Sequence, residues 1–396
     1  MKENNSPWGI LSGIRPVKIA SKLMNEGNSP SETVDCFMRD FGTSREKAEL
    51  AVMTAEAEAP FVKNMYKNGI SLYIGIPFCP TRCVYCSFVS NSVAKSAKLV
   101  PEYLSCLKRE IAYTADIVRK CGAVVESVYI GGGTPTTLSA EMLCELLDSL
   151  YAEFDLSGVK EFTVEAGRPD TITREKLLVL NEHNVGHVSI NPQSMNQSTL
   201  DIIGRRHTPD DIRKAVYLAR ECGIGIINMD IIAGLPGESV DMFRYTVEEV
   251  EKLKPENTTV HTMSVKRSSR LNENLDEYRL TEGNKVADMV DYAYRRITAE
   301  GKRPYYLYRQ KHMLGNLENV GYAAPGTESL YNIYIMEEIQ TIISLGCGGV
   351  TKTVNRAEDR IERIFNVKEP KDYIERIDEM LHRKDVLLGD TSWCGN

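Results

Sequence analysis

Residues 72–88 read LYIGIPFCPTRCVYCSF, an apolar β-strand pattern that runs directly into a loop with three cysteines. Cys79, Cys83 and Cys86 have the spacing C-x3-C-x2-C. Structural zinc sites use four protein ligands, commonly in two C-x2-C pairs, and this segment offers neither a second pair nor a histidine. Three thiolates are typical of a 4Fe–4S cluster in which one iron stays open. We therefore predict a cluster whose open iron can bind a substrate or a cofactor.

Beyond this loop, short β-branched runs alternate with amphipathic helices. Six strands are predicted, over Leu72–Ile76, Ser127–Ile130, Glu161–Glu165, His187–Asn191, Ile226–Ile231 and Thr258–Met263. Six helices are predicted after them, over Pro101–Lys120, Ala140–Phe154, Thr173–His183, Pro209–Cys222, Val240–Leu253 and Thr281–Glu300. This alternation predicts an α/β fold with a parallel sheet. Six units are too few for a closed eight-stranded barrel, so the sheet is either doubly wound or a partial barrel that is open on one side.

The chain is predicted to have three regions. Residues 1–68 form a helical N-terminal segment, because Pro30–Phe61 has a helical pattern with few β-branched runs. Residues 69–300 hold the six βα units. Residues 301–396 form an α+β C-terminal extension that covers the substrate. Its predicted elements are a strand over Pro304–Tyr308, a helix over Glu328–Ser344, a Gly-rich turn over Gly346–Gly349 and charged helices at the end.

Three of the predicted strands have one apolar face and one face with polar side chains near the carboxyl end. The polar residues are Thr163 and Glu165, then Ser189, Asn191 and Gln193, then Asn228 and Asp230. Successive side chains of a strand point to opposite faces, and a parallel sheet covered by helices normally has apolar residues on both. Three strands that depart from this rule in the same direction predict a ligand cavity at their carboxyl ends.

Composition and charge exclude several classes of function. The 396 residues are 42% hydrophobic and 26% charged, which is enough for a large folded core. The net charge of −7 argues against a general affinity for nucleic acid or for anionic membranes. The sequence has neither the roughly 18-residue apolar run of a membrane span nor a signal-peptide pattern in its first twenty residues. We therefore expect a cytoplasmic protein without a membrane span.

A glycine-rich segment, GGGTPT at 131–136, follows the second predicted strand. Glycines without side chains let a ligand approach the backbone closely. This segment, placed after the cysteine loop, resembles the radical S-adenosylmethionine (SAM) superfamily. The resemblance implies a partial (β/α)6 barrel and a 4Fe–4S cluster whose open iron binds SAM. It also implies that the reduced cluster cleaves SAM to a radical, which then takes a hydrogen atom from the substrate.

Further motifs resemble those of the oxygen-independent coproporphyrinogen III dehydrogenases, also called oxidases. The motifs, in the order and spacing of that family, are LYIGIPFC, GGGTPT, FTVEAGRPD, VSINPQSMN, LDIIGRRHT and MDIIAGLPGE. The resemblance implies that Cys79, Cys83 and Cys86 hold the cluster and that Tyr73 lies near the SAM sulfonium. It assigns further SAM contacts to Tyr85, Gly132, Gly133, Thr134, Glu165 and Val350, and a second SAM molecule to Gln193, Arg205 and Asp230. Cys347 would lie near the adenosyl group, where a thiol could donate hydrogen.

The chain also departs from the patterns of these relatives. Gly75 stands where the pattern Y-x-H-I-P-F-C has a histidine, and Phe88 stands where some relatives have a fourth cysteine. The segment Tyr331–Met336 lies where the related heme-trafficking proteins carry H-N-x-x-Y-W, a motif that is not kept here. GIRP at 13–16 and GCGGVTK at 346–352 resemble the HemZ-like branch of the dehydrogenases most closely.

The resemblance implies a tetrapyrrole substrate, coproporphyrinogen III, two of whose propionates become vinyl groups to give protoporphyrinogen IX. Guanidinium groups bind carboxylates in bidentate fashion. We therefore expect an anion-binding rim of basic residues after the sixth strand and around the aromatic strand: Lys266, Arg267, Arg270, Arg303, Arg309 and Lys311. Among them, Arg267, Arg270 and Arg309 are the candidate substrate contacts. A low-potential electron donor of the flavodoxin or ferredoxin type is also implied, and the chain is expected to be a monomer.

Three alternatives stay open. A related radical SAM enzyme could act on heme or another tetrapyrrole by methyl transfer or ring opening. A heme-trafficking protein could bind cluster and heme without turnover, and a zinc-stabilised module could use the cysteines for structure alone. The histidines are expected to be packing or hydrogen-bonding groups, since no two fall at ligand spacing, although His261 lies on the sixth strand. The other cysteines, Cys144 among them, are expected to be buried thiols.

Overall fold

The computed structural model describes residues 6–11, 15–88, 91–356, 358–389 and 392–394. Gly13 and Ile14 of the GIRP stretch lie outside the described residues. The helices are α1 Pro16–Asn25, α2 Pro30–Phe41, α3 Arg45–Lys63, α4 Val100–Lys120, α5 Ala140–Glu153, α6 Arg174–Glu182, α7 Pro209–Glu221, α8 Val240–Lys252, α9 Gly283–Ala299, α10 Leu330–Glu337, α11 Pro370–Glu375 and α12 Ile377–Arg383. None of the helices in the described ranges is both long and apolar enough to cross a membrane.

The predicted βα units form a partial barrel. Its strands are β1 Gly69–Ile76, β2 Val124–Gly132, β3 Glu161–Glu165, β4 His187–Ser189, β5 Ile226–Ala233 and β6 Asn257–Thr262. They pair in parallel and in chain order, as expected when each connecting helix packs back onto the sheet. The predicted ends of strands and helices differ from the observed ends by three residues or fewer. Apolar residues such as Ile74, Val128 and Val164 are fully buried and hold the sheet against its helices.

The C-terminal region adds five strands to the same sheet, more than the sequence predicted. They are β7 Arg303–Tyr308, β8 Asn319–Ala323, β9 Thr341–Leu345, β10 Val350–Asn355 and β11 Arg360–Phe365. The full order is β11-β10-β9-β1-β2-β3-β4-β5-β6-β8-β7, in which β9 is parallel to β1 and the other four added strands are antiparallel to their neighbours.

The predicted helix over Glu328–Ser344 is wrong at its C-terminal end. The helix stops at Glu337, because Glu338 adopts a left-handed conformation with φ of 52°. Residues 341–345, TIISL, are rich in β-branched and apolar side chains and become β9, which is buried along its whole length. This strand brings the Gly-rich turn at 346–349 to the same end of the sheet as the cysteine loop.

The N-terminal helices pack on the far edge of the sheet. Gly42, with φ of 65°, divides the predicted helical stretch into α2 and α3, whose caps are Ser29 and Ser44. Lys47 of α3 lies 2.7 Å from the fully buried carboxylate of Glu318, and the indole nitrogen of Trp8 donates a 2.6 Å hydrogen bond to it. These contacts fix the N-terminal segment against β8 and β7, on the strands that close one side of the cavity.

Candidate active site

A cavity of about 770 Å³ lies at the carboxyl ends of the parallel strands. The polar face predicted from strand alternation lines it: Thr163, Glu165, Ser189, Asn191, Gln193, Asn228 and Asp230. The predicted cluster and SAM residues that also line it are Tyr73, Cys79, Cys83, Tyr85, Cys86, Gly132, Gly133, Thr134, Arg205 and Val350. The alternation argument is thus confirmed, because these side chains share one face and one end of the sheet.

The cysteine loop is held on both sides by backbone hydrogen bonds. The amide of Val84 donates to the Ile203 carbonyl at 3.1 Å, and the Val84 carbonyl accepts from the Leu271 amide at 2.8 Å. Phe78 and Cys79 pair with Asn91 and Ser92 in a short two-stranded sheet. Cys83 is buried, whereas Cys79 and Cys86 are half-buried, so the three thiols face the cavity from a loop of fixed shape.

The spacing of the three thiols argues against a single zinc ion. Zn–S bonds of about 2.3 Å would place tetrahedral thiolates about 3.8 Å apart. The three sulfur atoms of Cys79, Cys83 and Cys86 do not all lie within 4.8 Å of one another. A 4Fe–4S cluster holds its cysteines on separate irons, so a wider spacing fits this group.

The glycine segment forms a cradle against the cysteine loop. The amides of Gly133 and Thr134 donate to the carbonyls of Ile76 and Phe78 at 2.8 and 2.7 Å. A Cβ atom on Gly133 would lie 2.5 Å from the Phe78 carbonyl oxygen, so only glycine lets the two backbones meet. The hydroxyl of Thr134 lies 3.6 Å from the Cys79 sulfur. Strand β2 therefore positions the loop as well as the cavity wall.

Two buried arginines lie beside Cys83. Arg205 donates from Nη1 to the carbonyls of Asn191 and Gly167, and its neighbours Tyr85 and Cys83 raise its pKa although burial opposes this. Arg168, whose side chain is 3% exposed, donates from Nη1 to Thr81 Oγ1 at 3.0 Å and lies 4.0 Å from the Cys83 sulfur. Together they place positive charge next to a predicted cluster ligand.

Two carboxyl groups face the middle of the cavity in different electrostatic states. Burial raises the pKa of Glu165 to about 7, although the Tyr129 hydroxyl donates a 2.6 Å hydrogen bond to it. Burial also disfavours charge on Asp230, but hydrogen bonds and the charge of His261, 3.6 Å away, together lower its pKa. His261, which the sequence left as an uncertain case, is thus a cavity residue.

Gln193 lines the cavity next to Asp230. Its backbone φ is 64°, and its amide nitrogen donates to the Asp230 carbonyl at 3.0 Å. Its side-chain oxygen is buried without a hydrogen-bond partner, as is the Arg205 Nε. Buried polar atoms are normally paired, so both atoms point to a polar ligand in this part of the cavity.

Tyrosine rings line much of the cavity. Tyr129 and Tyr331 stack with ring centroids 4.4 Å apart, and Tyr73 lies 6.1 Å from each of them. On the opposite strand β7, Tyr306 and Tyr308 stack at 6.3 Å with an angle of 7° between their planes. Such walls present flat apolar surfaces with hydroxyl groups at their edges, which suits a large conjugated or cyclic ligand.

The Gly-rich turn lies beside β1, at the cysteine end of the cavity. Gly348, Gly349 and Val350 line the cavity, and Val350 is 37% exposed. Cys347 is buried behind the turn, with its amide donating to the Tyr103 hydroxyl at 3.0 Å, and it is not among the cavity-lining residues. The structure thus places the Cys347 thiol behind the turn, and its proposed role as a hydrogen donor stays a prediction.

The arginines predicted to bind substrate lie elsewhere. Arg267 and Arg270 are exposed and outside the cavity wall. Arg309 is buried against the N-terminal segment. Its guanidinium donates to the Leu11 and Asn316 carbonyls and lies over the Trp8 ring. Lys266 lines the cavity instead, in contact with Gln310 and in no ion pair with any described residue. Of the six basic residues in the predicted rim, Lys266 alone is among the described residues that line the cavity.

Two other cavity residues, Arg168 and Tyr129, were not predicted although the sequence contained a signal for each. Arg168 stands three residues after Glu165, so its position past a strand end was a usable signal. Tyr129 pairs with Tyr73 across β1 and β2 in register, which the alternation of the two strands predicts once their pairing is known. Cys144 is half-buried, not buried as expected, and lies close to His183.

Known proteins similar to the chain agree with this site. The Radical SAM superfamily profile matches residues 73–250. The oxygen-independent coproporphyrinogen-III oxidase-like protein HemZ of Bacillus subtilis is 43% identical over 384 residues, 96% of this chain and 77% of HemZ. The heme chaperone HemW of the same organism is 31% identical over 294 residues, 72% of this chain and 73% of HemW.

Among solved structures, the chain resembles the coproporphyrinogen III oxidase HemN of Escherichia coli, described as a radical SAM enzyme. The TM-score is 0.61 at 22% identity, over 83% of this chain and 73% of HemN. This similarity supports the fold. The superfamily uses a 4Fe–4S cluster and SAM, and the thiol spacing, the glycine cradle and the unpaired polar atoms of the cavity fit these groups. The chain belongs to the radical SAM superfamily and, within it, to the family of oxygen-independent coproporphyrinogen-III oxidase-like proteins.

Proposed function

We propose that this protein is a radical SAM oxidoreductase that oxidatively decarboxylates two propionates of coproporphyrinogen III to vinyl groups. The observation that carries the proposal is a single cavity with the three cysteines at one end, two carboxyl groups in the middle and a tyrosine wall with Lys266 beyond them. A cluster, SAM and a large cyclic substrate can meet in such a space.

Cys79, Cys83 and Cys86 would hold the cluster, and Gly132, Gly133, Thr134 and Glu165 would hold the polar groups of SAM. Tyr73 and Tyr85 would flank SAM, with Val350 against its adenosyl end. When bound, cluster and SAM supply one-electron reduction and a radical able to abstract hydrogen. The protein supplies orientation: Gly133 sets the loop, and the Tyr129 hydroxyl holds the Glu165 carboxyl in place.

Gln193, Arg205 and Asp230 would bind a second SAM molecule next to the first. The unpaired Oε1 of Gln193 and Nε of Arg205 support this, since one offers an acceptor and the other a donor. Asp230 keeps a lowered pKa, so it offers a negative charge to an ammonium or sulfonium group. One SAM is consumed for each propionate, so two bound molecules match two decarboxylations.

The C-terminal region, residues 301–396, would cover the substrate. It contributes Tyr305, Tyr306, Tyr308 and Tyr331 to the cavity wall, on β7 and α10. Lys266 faces the same space, and its ammonium group would bind one propionate. In the reaction, a β-hydrogen atom leaves the propionate, one electron passes to an acceptor, and carbon dioxide departs as the C=C bond forms. A low-potential donor of the flavodoxin or ferredoxin type would return the cluster to its reduced state.

The test is anaerobic turnover of the reconstituted protein with SAM, a chemical reductant and coproporphyrinogen III. Mass spectrometry should show two successive losses of 46 mass units, one CO₂ and two hydrogens each, with 5′-deoxyadenosine formed in step. Cys83→Ala should form neither product, and Cys36→Ser, which changes a thiol far from the cavity, should react normally. SAM cleavage without loss of carbon dioxide would overturn the proposed substrate while keeping the radical chemistry.

A heme-trafficking function is the second candidate, because HemW at 31% identity is named a heme chaperone. Residues of the segment that corresponds to the H-N-x-x-Y-W motif, Tyr331, Asn332, Ile335 and Met336, line the cavity. Heme added to the reconstituted protein decides between the candidates. Stoichiometric heme binding without 5′-deoxyadenosine formation would favour a carrier, whereas turnover of coproporphyrinogen without tight heme binding favours the enzyme.

A further inference from the structure

A cluster of potential metal ligands lies on the outer helices, and none of its residues lines the cavity. Cys144 and Asp148 are one turn apart on α5, and His183 follows the end of α6. Their ligand atoms all lie within 4.8 Å of one another. His183 Nε2 is 3.1 Å from Asp148 Oδ1, and the Cys144 sulfur is 3.5 Å from Asp148 Oδ2.

These separations match a tetrahedral zinc site. With Zn–N and Zn–O bonds of about 2.0 Å and a Zn–S bond of about 2.3 Å, neighbouring ligands lie about 3.3 Å apart for N and O and about 3.5 Å for O and S. Because His183 contacts Oδ1 and Cys144 contacts Oδ2 of Asp148, the carboxylate must turn, or bind through both oxygens, for the three side chains to coordinate one ion. A thiolate with an imidazole selects zinc over magnesium or calcium, which prefer oxygen ligands.

The hydrogen bonds of His183 fix the orientation of its ring toward Asp148. Its Nδ1 lies 2.7 Å from the Val179 carbonyl, which can only accept, so Nδ1 carries a hydrogen. The other ring nitrogen, Nε2, faces the Asp148 carboxylate at 3.1 Å. The arrangement, with Nδ1 bound to a backbone carbonyl, is the one that orients zinc-binding histidines.

The surroundings also hold the site in shape. The Tyr151 hydroxyl donates to the His183 carbonyl at 2.7 Å, and the two rings lie 6.0 Å apart. The His183 side chain is only 14% exposed, so its position is fixed by packing. Asp148 is 68% exposed, which leaves the fourth coordination position open to water.

We propose that Cys144, Asp148 and His183 form a zinc-binding site that joins α5 to α6 on the outside of the barrel. Binding would release the Cys144 thiol proton and leave one position for water or an external ligand. The site is independent of the cluster cysteines and of the proposed function, because none of its residues lines the cavity.

The test is zinc binding to the protein with its cluster already reconstituted, so that the loop thiols are occupied. We expect one zinc per chain by chelator competition, and a zinc K-edge spectrum with one sulfur and three N/O ligands. Zinc should also raise the thermal unfolding midpoint. His183→Ala and Cys144→Ser should each weaken zinc binding by more than about 100-fold. This exceeds the roughly 10–100-fold loss of metal affinity that is typical when a residue hydrogen-bonded to a metal ligand is replaced.

Matched controls change the same residue types elsewhere. Cys36→Ser alters a half-buried thiol on α2, and His382→Ala alters a histidine that lies 3.3 Å from Asp385. Both should bind zinc as the wild type does. Three results would overturn the proposal: a spectrum with three sulfur ligands, zinc affinity that is unchanged in His183→Ala, or no zinc binding at all. If no zinc binds, the contact between His183 and Asp148 is an ion pair with a protonated histidine.

Discussion

Replacing Arg168 by Gln removes a buried positive charge 4.0 Å from the Cys83 sulfur. The guanidinium also bonds Thr81 Oγ1 at 3.0 Å and both carboxylate oxygens of Asp170 at 3.0 Å. Reduction adds an electron to the cluster that Cys83 would hold. A nearby cation stabilises the reduced cluster more than the oxidised one, so Arg168→Gln should lower the reduction potential.

The size of the effect follows from distance and pairing. Two unit charges 4.0 Å apart interact by ~4 kcal/mol at an effective dielectric constant of about 20. The added electron is spread over the irons, which lie farther from the guanidinium than the sulfur does. The negative charge of the Asp170 carboxylate, whose side chain is 28% exposed, offsets part of the interaction between the guanidinium and the added electron. A net effect of roughly 1 kcal/mol remains, which for one electron corresponds to about 40 mV.

The assay is a redox titration of the reconstituted protein followed by electron paramagnetic resonance. Arg168→Gln should lower the potential, Asp170→Asn should raise it, and Arg168→Lys should leave it close to that of the wild type. Iron and sulfide contents must stay unchanged, since Arg168 also bonds Thr81 of the cysteine loop. Equal shifts of the same sign in Arg168→Gln and Asp170→Asn would refute the electrostatic reasoning and indicate a change in loop structure.

Three further predictions concern binding, assembly and stability. The pKa of Glu165 is raised to about 7, so its carboxyl is mostly neutral below pH 7 and ionised above it. SAM affinity, measured by equilibrium dialysis, should therefore fall about tenfold per pH unit below 7. Glu165→Gln should remove this pH dependence. Gly133→Ala should lower the iron and sulfide content after reconstitution, because its Cβ would lie 2.5 Å from the Phe78 carbonyl oxygen, whereas Gly186→Ala, with no atom within 4 Å of its Cβ, should not. Lys384→Met should lower the free energy of unfolding, measured in urea, by ~3–5 kcal/mol, because the substitution leaves the buried Glu110 carboxylate without its cation. An unchanged urea midpoint would contradict this prediction.

The sequence predicted the barrel and much of its polar lining because both follow from local periodicity. Strands β1 to β6 have short β-branched runs, and each helix between them has an amphipathic pattern of ordinary length. Alternation within EFTVEAG placed Glu165 on the cavity face without knowledge of any neighbour. Cys79, Cys83 and Cys86 were found from spacing alone, since one loop carries all three.

The sequence did not predict features that depend on distant pairing. TIISL at 341–345 has a strand composition, but it directly follows a helix and pairs with β1, which is about 270 residues earlier in the chain. Arg309 directly follows the aromatic strand in sequence, yet its guanidinium packs over the ring of the N-terminal residue Trp8. Cys144 and His183 do not fall at a ligand spacing in sequence, and only the packing of α5 on α6 brings them together.

The glycine at position 75, where the dehydrogenase pattern has a histidine, is not required by the fold. A Cβ at this position would lie 3.4 Å from the Cys347 and Leu345 carbonyl oxygens, an ordinary contact, so the backbone does not require glycine here. The Gly75 carbonyl accepts a 2.6 Å hydrogen bond from Tyr103, whose hydroxyl in turn accepts from the Cys347 amide. The Gly-rich turn is therefore fixed here without an imidazole. The fold neither needs glycine nor excludes a side chain at this position, so folding alone does not account for the departure from the dehydrogenase pattern.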